Sequence, residues 1–207
     1  MRTVKYDGIL YELHIEDFTA NVIKDYDHLY KGDIVIPQYI IEDDLQYQVV
    51  AIDKGAFYGC VHLNSIQLPL GLITIDDMAF YQCSSLQAII IPDTVLKIGG
   101  WSFYHCTSLE AIQIPSQVRC IPDGTFCDCR SLKTIVLPHS IVRFGSWAFG
   151  HCYELASIRF PKHLLEIGES CFAYTLLGEK RIPKRVRYIG DEVFLGCKVK
   201  SLKNTNL

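Results

Sequence analysis

The chain has 207 residues, of which 49% are hydrophobic and 21% charged, and its formal net charge is −3. This composition is ordinary for a folded soluble protein, and the small net charge gives no general attraction to nucleic acid or to a membrane surface. No N-terminal stretch resembles a signal peptide, and no apolar run is long enough to span a bilayer. The sequence as it stands therefore predicts a cytoplasmic location. If it is a trimmed piece of a longer chain, the alternative is a cell-surface or secreted location.

Residues 1–50 contain the alternating apolar and polar runs that form β-strands. Val4–Ile15 alternates around Asp7-Gly8, a dipeptide typical of a tight β-hairpin. Because the repeats that follow would otherwise expose their core, we expect residues 1–50 to form a β-rich N-terminal cap. Three further strand-like runs lie in this region: Asn21–Lys24, Asp33–Ile36 and Gln46–Ile52.

From residue 51 onward the sequence repeats with a period of about 23 residues. A period of this length indicates structural units that stack on one another, so we predict that residues 51–207 form one continuous solenoid of about seven coils. The period is marked by seven phenylalanines: Phe57, Phe80, Phe103, Phe126, Phe149, Phe172 and Phe194. A second series runs in phase with them: Pro69, Pro92, Pro115, Pro138, Pro161 and Pro183.

Aligning the units gives the template Cys-x-x-Leu-x-x-Ile-x-Ile-Pro-x-x-Val-x-x-Ile-x-x-x-Ala-Phe-x-x-Cys, from which the C-terminal units depart, with Thr175 in the cysteine position. In the unit that begins at Cys83, Ile89 and Ile91 alternate inward on a short strand, and Pro92 ends it. Such strands, stacked in register, predict one parallel sheet, and the phenylalanines predict an aromatic stack. Apolar spacings of three and four in the returning half suggest a short helical or 3₁₀ turn, but glycines there predict an irregular segment.

The cysteines follow the same period and do not suggest a disulfide framework. Free cysteine packs as a small hydrophobe, and side chains that project in parallel from coils about 4.8 Å apart hold their Cβ atoms slightly too far apart for a disulfide. We therefore predict a column of buried free thiols. Its members, three residues after the repeat phenylalanine, are Cys60, Cys83, Cys106, Cys129, Cys152 and Cys197.

The repeated pattern Leu-x-x-Ile-x-Ile-Pro, followed by Ile-x-x-x-Ala-Phe-x-x-Cys, resembles the BspA-type leucine-rich repeat family over about residues 51–199. This resemblance implies an α/β repeat fold that is mostly β: a right-handed leucine-rich-repeat solenoid with its parallel sheet on the concave side. It also implies a role in protein–protein contact, often in adhesion at bacterial cell surfaces.

No catalytic or nucleotide-binding motif is present, and we expect no enzyme activity, no cofactor and no metal. Three features leave an alternative open. His105 and His151 occupy the same place in their units and are either polar loop residues or metal ligands. Cys127 and Cys129 are either structural or part of a zinc site, which needs about four ligands. Glu42-Asp43-Asp44 lacks the spacing of a calcium loop, and we interpret it as a solvated insertion.

The outward positions of the repeat strands are the candidate binding residues. Each lies between the two inward apolar positions of its strand, so stacking aligns them in a row on the concave face. The row is either merely exposed to solvent or forms a recognition surface for a protein, with two arginines as the strongest candidate contacts. Its members are Gln67, Ile90, Gln113, Val136, Arg159 and Arg181.

The sequence therefore predicts a non-enzymatic interaction module that binds a protein partner through the concave face. The principal alternative is a bacterial cell-surface adhesin, or a fragment of one, that contacts host or neighbouring-cell proteins. A metalloprotein or enzyme and a purely structural spacer are further alternatives. The identity of the partner and the oligomeric state are not specified by the residues.

Overall fold

The structure is a computed structural model that describes residues 2–178 and 182–198. These residues form sixteen strands and no helix, so the prediction of a mostly-β repeat fold is confirmed. The strands of residues 2–52 are β1 Arg2–Tyr6, β2 Ile9–His14, β3 Thr19–Val22, β4 Gly32–Val35, β5 Tyr39–Glu42 and β6 Leu45–Ile52. The remaining strands are β7 Leu63–Gln67, β8 Thr74–Ile75, β9 Ala88–Ile90, β10 Lys97–Ile98, β11 Ala111–Gln113, β12 Cys120–Ile121, β13 Thr134–Val136, β14 Arg143–Phe144, β15 Glu166–Ile167 and β16 Tyr188–Ile189.

The predicted hairpin at the N-terminus is confirmed. β1 and β2 pair antiparallel and are joined by Asp7 and Gly8, whose φ angles are 47° and 79°. Positive φ at both turn residues gives the twist that a two-residue hairpin loop requires. β2 pairs antiparallel with β3, and β3 pairs parallel with β6, so this sheet leads directly toward the repeats.

The acidic insertion forms a second hairpin. β5 and β6 pair antiparallel, and Asp43 and Asp44 make the turn with φ angles of 51° and 61°. Our interpretation of a solvated insertion missed this strand pair. Asp tolerates the left-handed conformation because its short polar side chain forms local hydrogen bonds, so a tight turn formed here without glycine. Arg2 lies beside this turn, with its Nη2 atom 3.1 Å from the Glu42 carboxylate and 2.6 Å from that of Asp43.

The Ile-x-Ile-Pro segments lie side by side in the parallel sheet that the repeat predicts. We call this sheet, whose order is β13-β11-β9-β7-β4, the repeat sheet. Its register places Ile66 beside Ile89 and Ile112 beside Ile135, and these four side chains are buried. The edge strand β4 belongs to residues 1–50 but pairs parallel with β7. The boundary at residue 50 between the cap and the solenoid stays a prediction. β6 continues across this position without a break.

The returning halves of the coils are more regular than the glycines suggested. The last two residues of β6 and the two-residue strands of successive coils pair in parallel as β6-β8-β10 and β12-β14-β15-β16, and consecutive turns follow them. We call these strands the return sheets. The sequence did not reveal them because two residues are too few to show an alternating pattern. The right-handed sense of the solenoid stays a prediction.

The core between the sheets contains the predicted aromatic stack. The seven repeat phenylalanines follow one another with ring centroids 5.2–5.7 Å apart and interplanar angles of 13° or less. Tyr30 extends the stack into residues 1–50, with its ring centroid 5.2 Å from that of Phe57. The predicted free thiols are also present, since none of the nine cysteines is in a disulfide, but the prediction that Cys197 is buried is wrong: it lies in the last coil and is partly exposed.

Candidate functional site

The outward row on the repeat sheet lies largely where the sequence places it. Gln67, Ile90, Gln113 and Val136 end β7, β9, β11 and β13, and all four are exposed while the residue before each is buried. The difference in exposure between neighbouring residues is large at Ile90, which is 85% exposed, whereas Ile89 is 6% exposed. An isoleucine this exposed in the middle of a sheet is available to a partner.

The structure describes only one of the two predicted arginines. Arg159 is exposed, and Ile158 beside it is buried, as in the preceding coils. However, Ala156–Arg159 form no strand, so the hydrogen-bonded repeat sheet ends at β13. This coil is followed by the one that departs from the template, with Thr175 in the cysteine position. Arg181 lies outside the described residues.

Two shallow depressions lie on the repeat sheet on either side of Ile90. One, of about 590 Å³, extends toward β11 and β13, and its lining includes Ala88, Ala111 and Val136. The other, of about 520 Å³, extends toward β7 and β4. Both volumes lie in the range that binds small ligands or anchoring side chains. Ala88 lines both depressions, and its small side chain leaves Ile90 standing as a ridge between them.

Three further residues complete this surface, which we call the repeat-sheet face. Val35, at the end of β4, is 61% exposed and pairs in register with Gln67. Leu70 is 74% exposed and lines the second depression, and Asp93 lines the first. Val35 was not predicted, because residues 1–50 were interpreted as a cap. Leu70 and Asp93 were not predicted, because they follow the repeat proline, where the strand pattern has ended.

The charges on the repeat-sheet face are unevenly distributed. Asp33, on β4, accepts a hydrogen bond of 2.6 Å from the hydroxyl of Ser65. Glu110 and Lys133, in neighbouring coils, form an exposed ion pair of 3.2 Å, which in such a solvated position contributes little to stability. Beyond β13, the exposed cations in the described part of the chain include Arg159, at the outward position of its coil, and Lys162, which follows the repeat proline.

The histidines singled out by the sequence do not converge on one site. His105 Nδ1 lies 2.5 Å from a carboxylate oxygen of Asp128, which also accepts a 2.8 Å hydrogen bond from Arg130 Nε. His151 instead stacks on Tyr174, with ring centroids 4.8 Å apart. In the described part of the chain, no three His, Cys, Asp or Glu side chains are grouped to hold a metal ion. The two histidines are therefore parts of separate surface contacts.

The C-x-C pair is embedded in the core. Cys127 and Cys129 are buried, and burial raises the pKa of Cys127 to about 12 and that of Cys129 well above its ordinary value. A metal-binding or nucleophilic cysteine needs the thiolate form, which this environment disfavours. In the described residues, no helix has the length and apolar character needed to cross a membrane.

Comparison with solved structures places this fold among bacterial repeat proteins. A leucine rich cell surface protein from Faecalibacterium prausnitzii superimposes with a TM-score of 0.83 at 25% identity, over 99% of this chain and 57% of that one. The leucine-rich repeat protein of T. pallidum gives 0.81 at 31% identity, over 95% of this chain and 90% of that one. A leucine-rich repeat protein from Eubacterium ventriosum shares the fold, with a TM-score of 0.77 at 22% identity.

The family assignment rests on the repeats themselves. This chain spans little more than half the length of the F. prausnitzii protein and 50% of the E. ventriosum protein. No curated protein matches it. The model of the BspA type leucine rich repeat region matches six copies, over residues 38–123 and 97–206. Because those matches cover most of the sequence and agree with the stacked parallel coils, the chain belongs to the BspA-type leucine-rich repeat family.

Proposed function

We propose that this chain is a non-enzymatic module that binds a protein partner through the repeat-sheet face. The observation that carries the proposal is the 85% exposure of Ile90 between two depressions. Energetic centres of protein interfaces are apolar side chains that fit pockets and are surrounded by polar groups. Here Gln67 and Gln113 flank Ile90, and Val35 and Val136 extend the apolar surface along the row.

The test compares two single variants that place the same charge on opposite sides of the solenoid. Ile90→Asp puts a carboxylate at the centre of the repeat-sheet face. The control, Leu96→Asp, puts one beside the return sheets at a residue that is 49% exposed. Both side chains are accessible to solvent, so both variants should keep the thermal unfolding temperature close to that of the wild type.

The measurement is affinity capture from lysate and from extracellular material, with bound proteins quantified by mass spectrometry. We expect a partner that is retained by the wild type and by Leu96→Asp but lost by Ile90→Asp. A partner whose capture is unchanged by Ile90→Asp would remove the repeat-sheet face from the proposal. Arg159→Glu provides a second variant at the far end of the same face.

A role as a bacterial cell-surface adhesin, or as part of one, is the second candidate. The F. prausnitzii protein, which is 25% identical and has the same fold, is described as a cell surface protein. Antibody labelling of intact, unpermeabilised cells that produce this protein tests the location. Labelling only after permeabilisation would contradict the adhesin, while leaving protein binding at the repeat-sheet face intact.

A further inference from the structure

We propose that the repeat-sheet face takes an extended partner segment that combines an apolar anchor side chain with acidic residues a few positions away. This inference rests on the proposed function and specifies the chemistry of the partner. It is carried by the apolar centre at Ile90 and by a basic patch at one end of the same face, whose cations form no ion pair among the described residues.

The apolar part of the site is open on both sides of Ile90. Leu70 and Val35 project into or beside one depression, and Val136 lines the other. Gln67 and Gln113 stand one coil to either side of Ile90, and their amide groups can both donate and accept hydrogen bonds. An extended peptide presents alternate side chains and unpaired backbone groups, which match this order of apolar and amide positions.

The basic patch consists of four exposed cations in two successive coils. Within residues 2–178 and 182–198, none of them forms an ion pair with an acidic side chain. Lys162 and Lys184 each follow the repeat proline of their coil, so they occupy the same place one layer apart. The patch therefore repels cations and attracts carboxylates. Its members are Arg159, Lys162, Lys184 and Arg185.

Each of the two depressions beside Ile90 is lined by an aspartate, Asp33 in one and Asp93 in the other. Asp33 is exposed on β4, and Asp93 lines the depression between β9 and β13. Carboxylates of a partner are therefore disfavoured near Ile90 and favoured near Arg159. This polarity orients the bound segment, with its apolar anchor beside Ile90 and its acidic residues toward the C-terminal coils.

The spacing of the coils sets the spacing of the two elements in the partner. Arg159 lies three coils beyond Ile90, which corresponds to about 15 Å at the ~4.8 Å separation of neighbouring strands. An extended chain advances about 3.3 Å per residue. A segment that crosses the strands therefore needs its acidic residues roughly four to five positions from its apolar anchor.

The experiment is selection of displayed random twelve-residue peptides on the full chain. Recovered peptides are then tested against Ile90→Asp and against the control Leu96→Asp. We expect peptides that bind the wild type and Leu96→Asp but not Ile90→Asp, and that carry Asp or Glu roughly four to five residues from an aliphatic or aromatic residue. Recovery of no peptide that depends on Ile90 would overturn this inference together with the proposed function.

A variant of this protein with reversed charges in the basic patch distinguishes failure of the acidic-segment inference from failure of the proposed function. The double variant Arg159→Glu/Lys162→Glu should weaken the selected acidic peptides about tenfold or more, and replacing their acidic residues by Lys should restore binding. Arg119→Glu, at an exposed residue beside the return sheets, is the matched control and should have no effect. Peptides that depend on Ile90 but show no acidic residue and no effect of the inversion would overturn the acidic segment and leave protein binding standing.

A basic patch also attracts nucleic acid, so a labelled twelve-nucleotide single-stranded DNA is a further probe. We expect it to bind far more weakly than the selected peptides, because the apolar centre and the two aspartates offer nothing to phosphates. DNA binding that matches the peptides in strength, depends on Arg159 and Lys162 and ignores Ile90→Asp would overturn the peptide assignment.

Discussion

At the scale of single residues, the cysteine column shows how a thiol replaces a conventional hydrogen-bond donor. From Cys83 onward, each Sγ atom of the column donates a hydrogen bond to the phenylalanine carbonyl of the preceding coil. These distances are 3.2 Å for Cys83 to Phe57 and 3.1 Å for Cys129 to Phe103. Burial raises the pKa of both thiols well above its ordinary value. The proton therefore stays on the sulfur, where it satisfies a buried carbonyl between layers.

The first prediction follows from that burial. The thiolate is the reactive form of cysteine, so native protein treated with iodoacetamide near neutral pH should react only slowly at the buried members of the column. Modification should be confined to Cys120 and Cys197, which are partly exposed. Peptide mapping by mass spectrometry should show all nine cysteines modified after unfolding in urea. Rapid native modification of Cys106 or Cys129 would contradict the packed column.

A second prediction concerns acid, at Asp128. Burial alone would raise its pKa, but hydrogen bonds from Arg130 and His105 outweigh burial and lower the pKa below its ordinary value of 3.8. A carboxyl group with a lowered pKa stabilises the fold above its unfolded pKa and loses that contribution as the pH falls. Asp128→Asn should therefore be less stable than the wild type at pH 6.

The difference in stability between Asp128→Asn and the wild type should shrink as the pH falls below about 4. Urea unfolding followed by circular dichroism at several pH values measures it. The exposed Asp93, which has no ion pair among the described residues, supplies the control variant Asp93→Asn. Equal pH profiles for the two variants would show that the contact with His105 and Arg130 contributes nothing.

At the scale of elements, the turns beside the phenylalanines are held in the left-handed conformation. Gln82, His105, Asp128 and His151 lie two residues after a repeat phenylalanine and have φ angles of 56–62°. Such angles cost non-glycine residues about 1–2 kcal/mol. In return, each of these four backbone N–H groups donates to a carbonyl of the next coil, at 2.8–2.9 Å. The residues with the strained left-handed conformation are therefore the same residues that form backbone hydrogen bonds between neighbouring coils.

Neighbouring coils approach one another closely at glycines that follow the two-residue strands, and the third prediction concerns one of them. A Cβ atom at Gly168 would lie 2.4 Å from the backbone nitrogen of Ser146 in the preceding coil, so the backbone of one coil would have to shift. Gly168→Ala should destabilise the protein by roughly 1–3 kcal/mol, as overpacking does. The matched control is Gly178→Ala, where a Cβ atom would meet no atom of the described residues within 4 Å.

Urea unfolding of the two glycine variants gives the comparison. Equal stability of Gly168→Ala and Gly178→Ala would mean that the coils separate easily at this point, against the tight stacking described above.

Local signals explain which elements the sequence predicted. Residues close together in the chain specify the turn at Asp7-Gly8 and the strand Ile89-x-Ile91-Pro92. Both elements could therefore be predicted from the sequence. β5 was missed because its turn, Asp43-Asp44, lacks the glycine that usually marks a hairpin. The return sheets were missed because their pairing depends on stacking between coils, which a two-residue segment cannot reveal on its own.

The candidate site was predictable only where the repeat is regular. The alternation in each unit identified Ile90 and Val136, whereas the contribution of Val35 depends on β4 joining the repeat sheet across a 28-residue separation in the chain from β7. The depressions beside Ile90 depend on the small size of Ala88 and Ala111 relative to their neighbours. That relation becomes visible only when the strands are placed in register.

At the scale of the whole molecule, stability passes from coil to coil. Each coil contacts mainly the coils before and after it, so the stack behaves as a chain of units coupled to their nearest neighbours. The phenylalanine stack is one of the couplings, since Phe126 lies between Phe103 and Phe149 at centroid distances of 5.4 and 5.7 Å. Loss of one ring should weaken its two interfaces before it affects distant coils.

The last prediction tests this coupling with Phe126→Ala. Truncating a fully buried phenylalanine should cost about 3–5 kcal/mol of unfolding free energy. Hydrogen exchange followed by mass spectrometry should show the largest rise in exchange in the coils around residues 103–149, because local opening begins where coupling is lost. The hairpin β1-β2 should keep its protection, since it lies several layers away. A uniform rise over the described chain would instead show that the solenoid opens as a single cooperative unit, and that its coils are not separable in energy.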